Sequence, residues 1–411
     1  MKKSITNLVH DKNFVWHMIG ITLNSFYPLF LIIFITRFNG INNSGLFSFT
    51  FYFVAVLSTI ATYGGRIYHV SDIGTEYTNS QYVSLRYITS SLMFMMALVM
   101  CAINNYDLSK TLLIFSLLIF RALESIADSY YGILQNNNNL KSIGKSFILK
   151  ASISFTLFII LDILTKNILI SSLAFIFSNL LIFIIYDKKI VNSYVRIVKK
   201  IDNNTFKLLK KCFPIFLFTF FQLLLLNITR YIVDIYLSSE MQGYFGIIIA
   251  PASIIALLAQ FIIQPSIRGI SEMHHNKKYS SFKDNIKKIC LYLIGFGAIV
   301  SIITYLIGSE VLSIIYGLNL VEYKLELTLI VMGGIFSGVA FVYSTILTVL
   351  RTFKSQLYIY ILTFIFTSII SLVLINNFQL EGALLAFFIS MVFQSFLFWI
   401  VYVFKLKKLV I

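Results

Sequence analysis

Apolar residues fill this chain in long unbroken runs, so most of its elements are hydrophobic around their whole circumference instead of along one stripe. A bilayer core takes about 20 such residues per helix. Runs of that length recur twelve times between polar breaks, near 14–37, 44–64, 82–104, 111–135, 146–165, 167–186, 212–237, 243–264, 287–308, 326–350, 356–376 and 382–404. The pattern predicts an all-α, polytopic membrane protein with twelve transmembrane helices. Only Thr165, Lys166 and Asn167 interrupt the fifth and sixth runs, which together are too long for one span, so a tight hairpin is expected there.

Composition agrees that the solvent is lipid. The 411 residues are 58% hydrophobic and 12% charged, whereas soluble domains carry about 25% charged residues. A formal net charge of +16 would point to nucleic acid in a soluble chain, but the positions of the charges decide otherwise. With the N-terminus inside, most of the 33 basic residues fall in inner loops. Arg66, Arg86, Lys141, Lys145 and Lys150 are counted there, together with the clusters at 188–211 and 268–288. Only Arg37, Lys110, Lys166 and Lys324 fall outside, and Arg121 and Arg230 lie within spans. This is the positive-inside bias, and it places both termini in the cytoplasm without any need for a nucleic-acid partner. The segment MKKSITNLVHDKN imitates a signal peptide, but no small-residue cleavage site follows it and the next run is long enough to span, so it is read as retained.

A shift of 198 residues lays Asn42-Asn43-Ser44-Gly45-Leu46-Phe47 on Glu240-Met241-Gln242-Gly243-Tyr244-Phe245. Identity is slight, but the placement recurs: a polar turn, a Gly, an aromatic residue, then an apolar helix. Two parallel six-helix repeats are expected, a first half at 1–186, a basic cytoplasmic linker at 187–211 and a second half at 212–411. The run from Val191 to Lys211 reads as a helix lying on the anionic leaflet.

Charges inside spans are costly and face cavities or one another. In the fourth span Arg121, Glu124, Asp128, Tyr131 and Gln135 share one stripe. Arg121 and Glu124 are spaced to pair as a structural lock. Against that, one Arg with two acids leaves a net negative group that calls for another cation or a proton, which makes Glu124 and Asp128 ion-coupling candidates. In the seventh span Thr219, Asn227, Arg230 and Asp234 share a face, and Asp234 joins the coupling candidates. His17, Gly20, Asn24 and Pro28 share a face of the first span, and Pro28 with Pro251 offers each half a kink. Cys101, Cys212 and Cys290 are scattered and suit packing. Gly144-Lys145-Ser146 lacks the first Gly and the strand of a P-loop, and His274-His275 sits in a basic loop without further ligands. No catalytic cluster, metal site or cofactor is expected.

Arg230-Tyr231-Ile232-Val233-Asp234, followed by Leu237-Ser238-Ser239-Glu240 and Gly243-Tyr244-Phe245, resembles a signature of polysaccharide flippases. Gly132-Ile133-Leu134-Gln135, Ile143-Gly144-Lys145-Ser146 and Gly45-Leu46-Phe47-Ser48-Phe49 are similar to further segments of that family. The family is that of the Wzx-type O-antigen and capsular polysaccharide flippases, in the MATE-like MOP exporter superfamily. The resemblance implies a multi-pass protein of the bacterial inner membrane that carries undecaprenyl-pyrophosphate-linked oligosaccharide across the bilayer by alternating access. A polysaccharide polymerase and a chain-length regulator are its candidate partners.

Such a cargo needs fixed donors for phosphate and aromatic or amide platforms for sugar. Arg121 and Arg230 are the candidates for the pyrophosphate, Asn24, Asn227, Tyr131 and Gln135 for further cargo contacts, and Arg37, Arg66 and Arg268 for the cavity mouth. The alternatives are a drug/cation antiporter of the same superfamily, which a cavity dominated by acids would favour, and a membrane polysaccharide polymerase or transferase, which would need a catalytic loop.

Overall fold

The computed structural model describes residues 12–72, 76–198, 201–263 and 266–410, and among these every regular element is helical. The chain divides into two compact units, Lys2–Leu223 and Leu224–Ile411. The first unit holds α1 (Lys12–Asn39), α2 (Ile41–Thr62), the short α3 (Gly65–Ser71), α4 (Asn79–Ile103), α5 (Leu108–Asn136), α6 (Leu140–Thr165) and α7 (Ile168–Ile182). A π-helical turn, Phe183–Asp187, carries α7 on into α8 (Lys188–Asn192). Next comes α9 (Asn203–Tyr236), whose residues up to Leu223 belong to the first unit and the rest to the second.

The second unit continues with α10 (Ser239–Ile263), α11 (Ile267–His275), α12 (Tyr279–Ile303), a π turn at Thr304–Gly308, α13 (Ser309–Tyr316), α14 (Lys324–Val349) and α15 (Phe353–Val410). Gln379 breaks α15 with φ 49 and ψ −122, so the expected runs 356–376 and 382–404 lie on either side of a non-helical point. By length and composition alone, 9 helical stretches among the described residues can cross a membrane. The helix α5 is as long but carries Lys110, Arg121, Glu124 and Asp128.

Polar breaks in the sequence become helix caps. The Thr78 hydroxyl accepts from the Gln81 N–H while the Gln81 side chain accepts from the Thr78 N–H, a reciprocal capping box. Asp107, Asn139 and Asn167 cap α5, α6 and α7 with their side chains, each satisfying a backbone N–H that the helix leaves open. The expected hairpin forms: Lys166 takes the left-handed conformation at φ 50 and Asn167 opens α7. Across it Ser154, on α6, hydrogen-bonds Ser178, equidistant from Lys166 on α7.

Gly144 belongs to a helix crossing. A Cβ there would strike the Trp16 carbonyl, and one at Gly20 would strike the Gly144 carbonyl, so α1 and α6 meet backbone to backbone. Beside them Phe47, Phe51, Phe120, Phe158 and Phe175 form an aromatic core, with the Phe120 and Phe175 rings 5.2 Å apart. In the second unit α10 and α14 pass closely where Gly334 faces Ala252, and Thr229 on α9 hydrogen-bonds Ser371 on α15 at 3.0 Å.

The run from Val191 to Lys211 is not one helix. It stays helical to Asn192, turns at Ser193–Tyr194 and re-enters a helix at Asn203. The reason is local: the Ser193 hydroxyl bonds back to the Ile190 carbonyl, and Asp202 accepts from the Thr205 N–H at 2.8 Å to start α9 afresh. His274 and His275 end the short α11, where His274 packs 5.9 Å from Phe282.

Candidate functional site

One face of α5 borders a cavity of about 220 Å³ inside the first unit. Arg121, Glu124, Asp128 and Tyr131 reach it from α5, Asn24 from α1, Ser58 and Thr62 from α2, and Lys150 from α6. Arg121 donates from Nη1 to Glu124 Oε2 at 2.7 Å. Its guanidinium also lies 4.8 Å from the Phe51 ring centre and 4.9 Å from that of Phe120, so it rests on the aromatic core with its edge toward the cavity.

Asp128 belongs to a second charge cluster. Arg86 on α4 donates from Nη2 to Asp128 Oδ2 at 2.8 Å, and Arg66, in the first turn of α3, donates from Nη1 to Oδ1 at 3.3 Å. The remaining reach of Arg66 goes to Gln135, whose Oε1 accepts from Nη2 at 2.9 Å and from Nε at 3.2 Å. The net negative charge read along α5 is therefore met by cations from α3 and α4, and the sequence argument for a proton on Asp128 loses its premise. The sequence expectation places Arg86 with the cytoplasmic loops. It is instead 1% exposed, held against the backbone of Gly65 and bonded to the Ala61 carbonyl at 3.5 Å.

A third cluster is drier still. Lys150 donates to Asp187 Oδ2 and to the Tyr131 hydroxyl, both at 2.7 Å, and the Tyr131 hydroxyl meets Ser146 Oγ at 2.8 Å. Lys150 and Asp187 are buried side chains, at 6% and 0% exposure. Lys150, too, expected in an inner loop, lies within the helix α6. Asp187 closes the π turn after α7, a local widening that sets its carboxylate among α5 and α6. Tyr131, a candidate cargo contact, has its hydroxyl engaged in this network while its ring lies 5.8 Å from the Arg66 guanidinium.

The structure thus brings Asn24, Arg121, Glu124, Asp128 and Tyr131 to one cavity and joins Arg66 to Asp128 and Gln135 to Arg66. Arg37 is exposed in the last turn of α1. Asn227, Arg230 and Asp234 belong to the second unit, where Arg230 is buried with its guanidinium 5.8 Å from the Phe245 ring centre. The side chain of Arg268 lies outside the described residues. Sequence reasoning missed Arg86, Lys150, Asp187 and also Asp162. Asp162 is 1% exposed at the end of α6, and both of its oxygens accept from Asn39 Nδ2 at 2.7 Å.

Next to the Asp128 cluster, His69 on α3 stacks on Tyr82 at 4.0 Å and shares a 2.8 Å hydrogen bond with Asn79, in room that Gly132 leaves by having no side chain. Burial lowers the His69 pKa below its ordinary value, with the Asn79 hydrogen bond opposing it in part. Asp72, in the following loop, is raised by burial but brought below the ordinary carboxylate range by hydrogen bonds from the Glu76 N–H, the Tyr82 hydroxyl and the Tyr77 N–H.

No family model matches the chain. It is 25% identical over 392 residues to the capsular polysaccharide biosynthesis protein CapF of Staphylococcus aureus, covering 92% of this chain and 96% of CapF. Its structure is similar to an inward-facing multidrug resistance MATE family transporter of the MOP superfamily, with a TM-score of 0.70 at 11% identity, over 96% of this chain and 98% of that one. The lipid II flippase MurJ in its inward closed conformation gives a TM-score of 0.67 at 15% identity, over 94% of this chain and 87% of that one. The chain has the MATE/MOP transporter fold and is a multi-pass membrane protein. The first of these structural neighbours is named a transporter and the second a flippase.

Proposed function

We propose that this membrane protein is a flippase that moves an undecaprenyl-pyrophosphate-linked oligosaccharide across the bacterial inner membrane by alternating access. Both termini would be cytoplasmic and the two six-helix halves would be the moving bodies. The observation that carries the reading is the conjunction of a MOP transporter fold with a relative, aligned over almost its whole length, that is named for capsular polysaccharide biosynthesis. The cavity supports it. The acids Glu124 and Asp128 are each already paired with an Arg, so an organic cation finds no open countercharge there, and this disfavours the drug antiporter reading. Arg121 offers a phosphate several fixed donors at the wall of this polar cavity, with Glu124 holding it between cargoes. In the other half Arg230 is the candidate for the same anion.

A strain deleted for the gene tests this. It should accumulate lipid-linked oligosaccharide and lose surface polysaccharide, and the intact gene should restore both. Normal surface polysaccharide in the deletion strain, with no accumulated precursor and no second copy of the gene, would remove the reading.

A further inference from the structure

Two guanidinium groups share the single carboxylate of Asp128, and the sharing is unequal. Arg86 has the shorter bond, at 2.8 Å, and is 1% exposed. Its Nε, buried and among the described residues without a hydrogen-bond partner, leaves it dependent on Asp128 for countercharge. Arg66 has the longer contact, at 3.3 Å, is 22% exposed, and places its other donors on a neutral amide, Gln135. Removing Asp128 from Arg86 would strand a buried cation, which is strongly unfavourable. Removing it from Arg66 frees a partly exposed cation that already has a second partner. The cluster also carries two positive charges against one negative, so an arriving anion gains where an arriving cation does not. Asp128 itself borders the cavity that Arg121 lines.

We infer that Asp128 is an internal stand-in for an anion, fixed on Arg86 and exchangeable on Arg66, and that a phosphate or pyrophosphate group displaces it from Arg66. The inference rests on the flippase reading for the identity of the anion in the cell, but the exchange on Arg66 is a property of this cluster alone. Arg86 is then a positioning residue: it keeps Asp128 in place while Arg66 changes partner. Gln135 steadies Arg66 during the exchange by accepting from two of its N–H groups.

The test is calorimetric titration of the purified full-length chain with inorganic pyrophosphate. Asp128→Asn removes the competing anion and should tighten binding by about tenfold, the worth of one charge-assisted hydrogen bond. Arg66→Gln should weaken it by about tenfold and cancel the gain when combined with Asp128→Asn. Unchanged affinity in Asp128→Asn, or a gain that persists in the double variant, overturns the exchange. Should Asp128→Asn fail to fold, Arg66→Gln alone decides, because it leaves the Arg86–Asp128 pair intact: affinity equal to that of the unaltered chain would sink the inference. The tightening without any translocation of lipid-linked oligosaccharide would defeat the flippase reading and leave the anion exchange standing. Translocation with no effect of Asp128→Asn would do the reverse.

Discussion

The first unit contains two kinds of ion pair, and their difference separates holding from handling. Lys150 and Asp187 are 6% and 0% exposed and are tied further by Tyr131 and Ser146. Arg121 and Glu124 are 17% and 25% exposed at a cavity wall. A pair removed from water has a large cost of separation, because whichever charge remains is buried without countercharge. A pair in contact with a polar cavity can part cheaply, because water or a ligand replaces the partner. The dry pair therefore suits a fixed strut joining α5, α6 and the π turn, and the wetter one suits a residue that must exchange partners in each cycle.

The largest effect should come from the dry pair. Lys150→Met strands the Asp187 carboxylate and should cost about 3 to 5 kcal/mol, seen as a drop in folded protein at the membrane by immunoblot and gel filtration. Combining it with Asp187→Leu should recover most of the loss, since two apolar side chains replace a buried pair without stranding either charge. Next is the crossing of α1 and α6: Gly144→Leu forces the backbones apart at Trp16 and should reduce folded protein comparably to an overpacked core, by about 1 to 3 kcal/mol. Weaker protein with unchanged activity per molecule is expected for both.

Arg121→Gln should behave in the opposite way. Folded protein should stay near normal, while surface polysaccharide per molecule falls by about tenfold, with Arg121→Lys recovering part of it. Loss of protein with normal activity per molecule would make Arg121 a strut like Lys150 and erase the contrast.

The smallest expected effect is on pH dependence. Burial holds the His69 pKa below its ordinary value of 6.5, so the folded state binds its proton less readily than the unfolded chain. Its neutral form is undisturbed above pH 6.5, and stability should fall as pH drops below that value toward the lowered one. His69→Gln should flatten that limb in thermal unfolding of the purified chain, and an unchanged limb would show that other groups set it.

Much of the fold was legible because lipid imposes one rule, a long apolar run for each crossing, and because Asn, Asp and Thr at the breaks are helix caps in their own right. The offset between Ile41 and Ser239, where α2 and α10 begin, is the one that the sequence shift shows. The stripe on α5 was legible for the same reason of periodicity. Its charge balance was not, because the cations that neutralise Asp128 come from α3 and α4 and only tertiary packing brings them there. Lys150 and Asp187 were hidden by their positions at the ends of apolar runs, where a basic residue is ordinarily a loop residue and an acid marks a boundary. The 165–167 turn was the available sign, since a hairpin there runs α7 back along α6 and returns Asp187 toward Lys150.

The most direct measurement of function uses the purified chain in proteoliposomes loaded with fluorescent undecaprenyl-pyrophosphate oligosaccharide, with a sugar-specific quencher or lectin added outside. The expected result is lipid-linked sugar becoming accessible at a rate proportional to the amount of the chain, reduced about tenfold in Arg121→Gln. Accessibility no faster than in protein-free vesicles, with the protein shown to be folded, would contradict the flippase assignment.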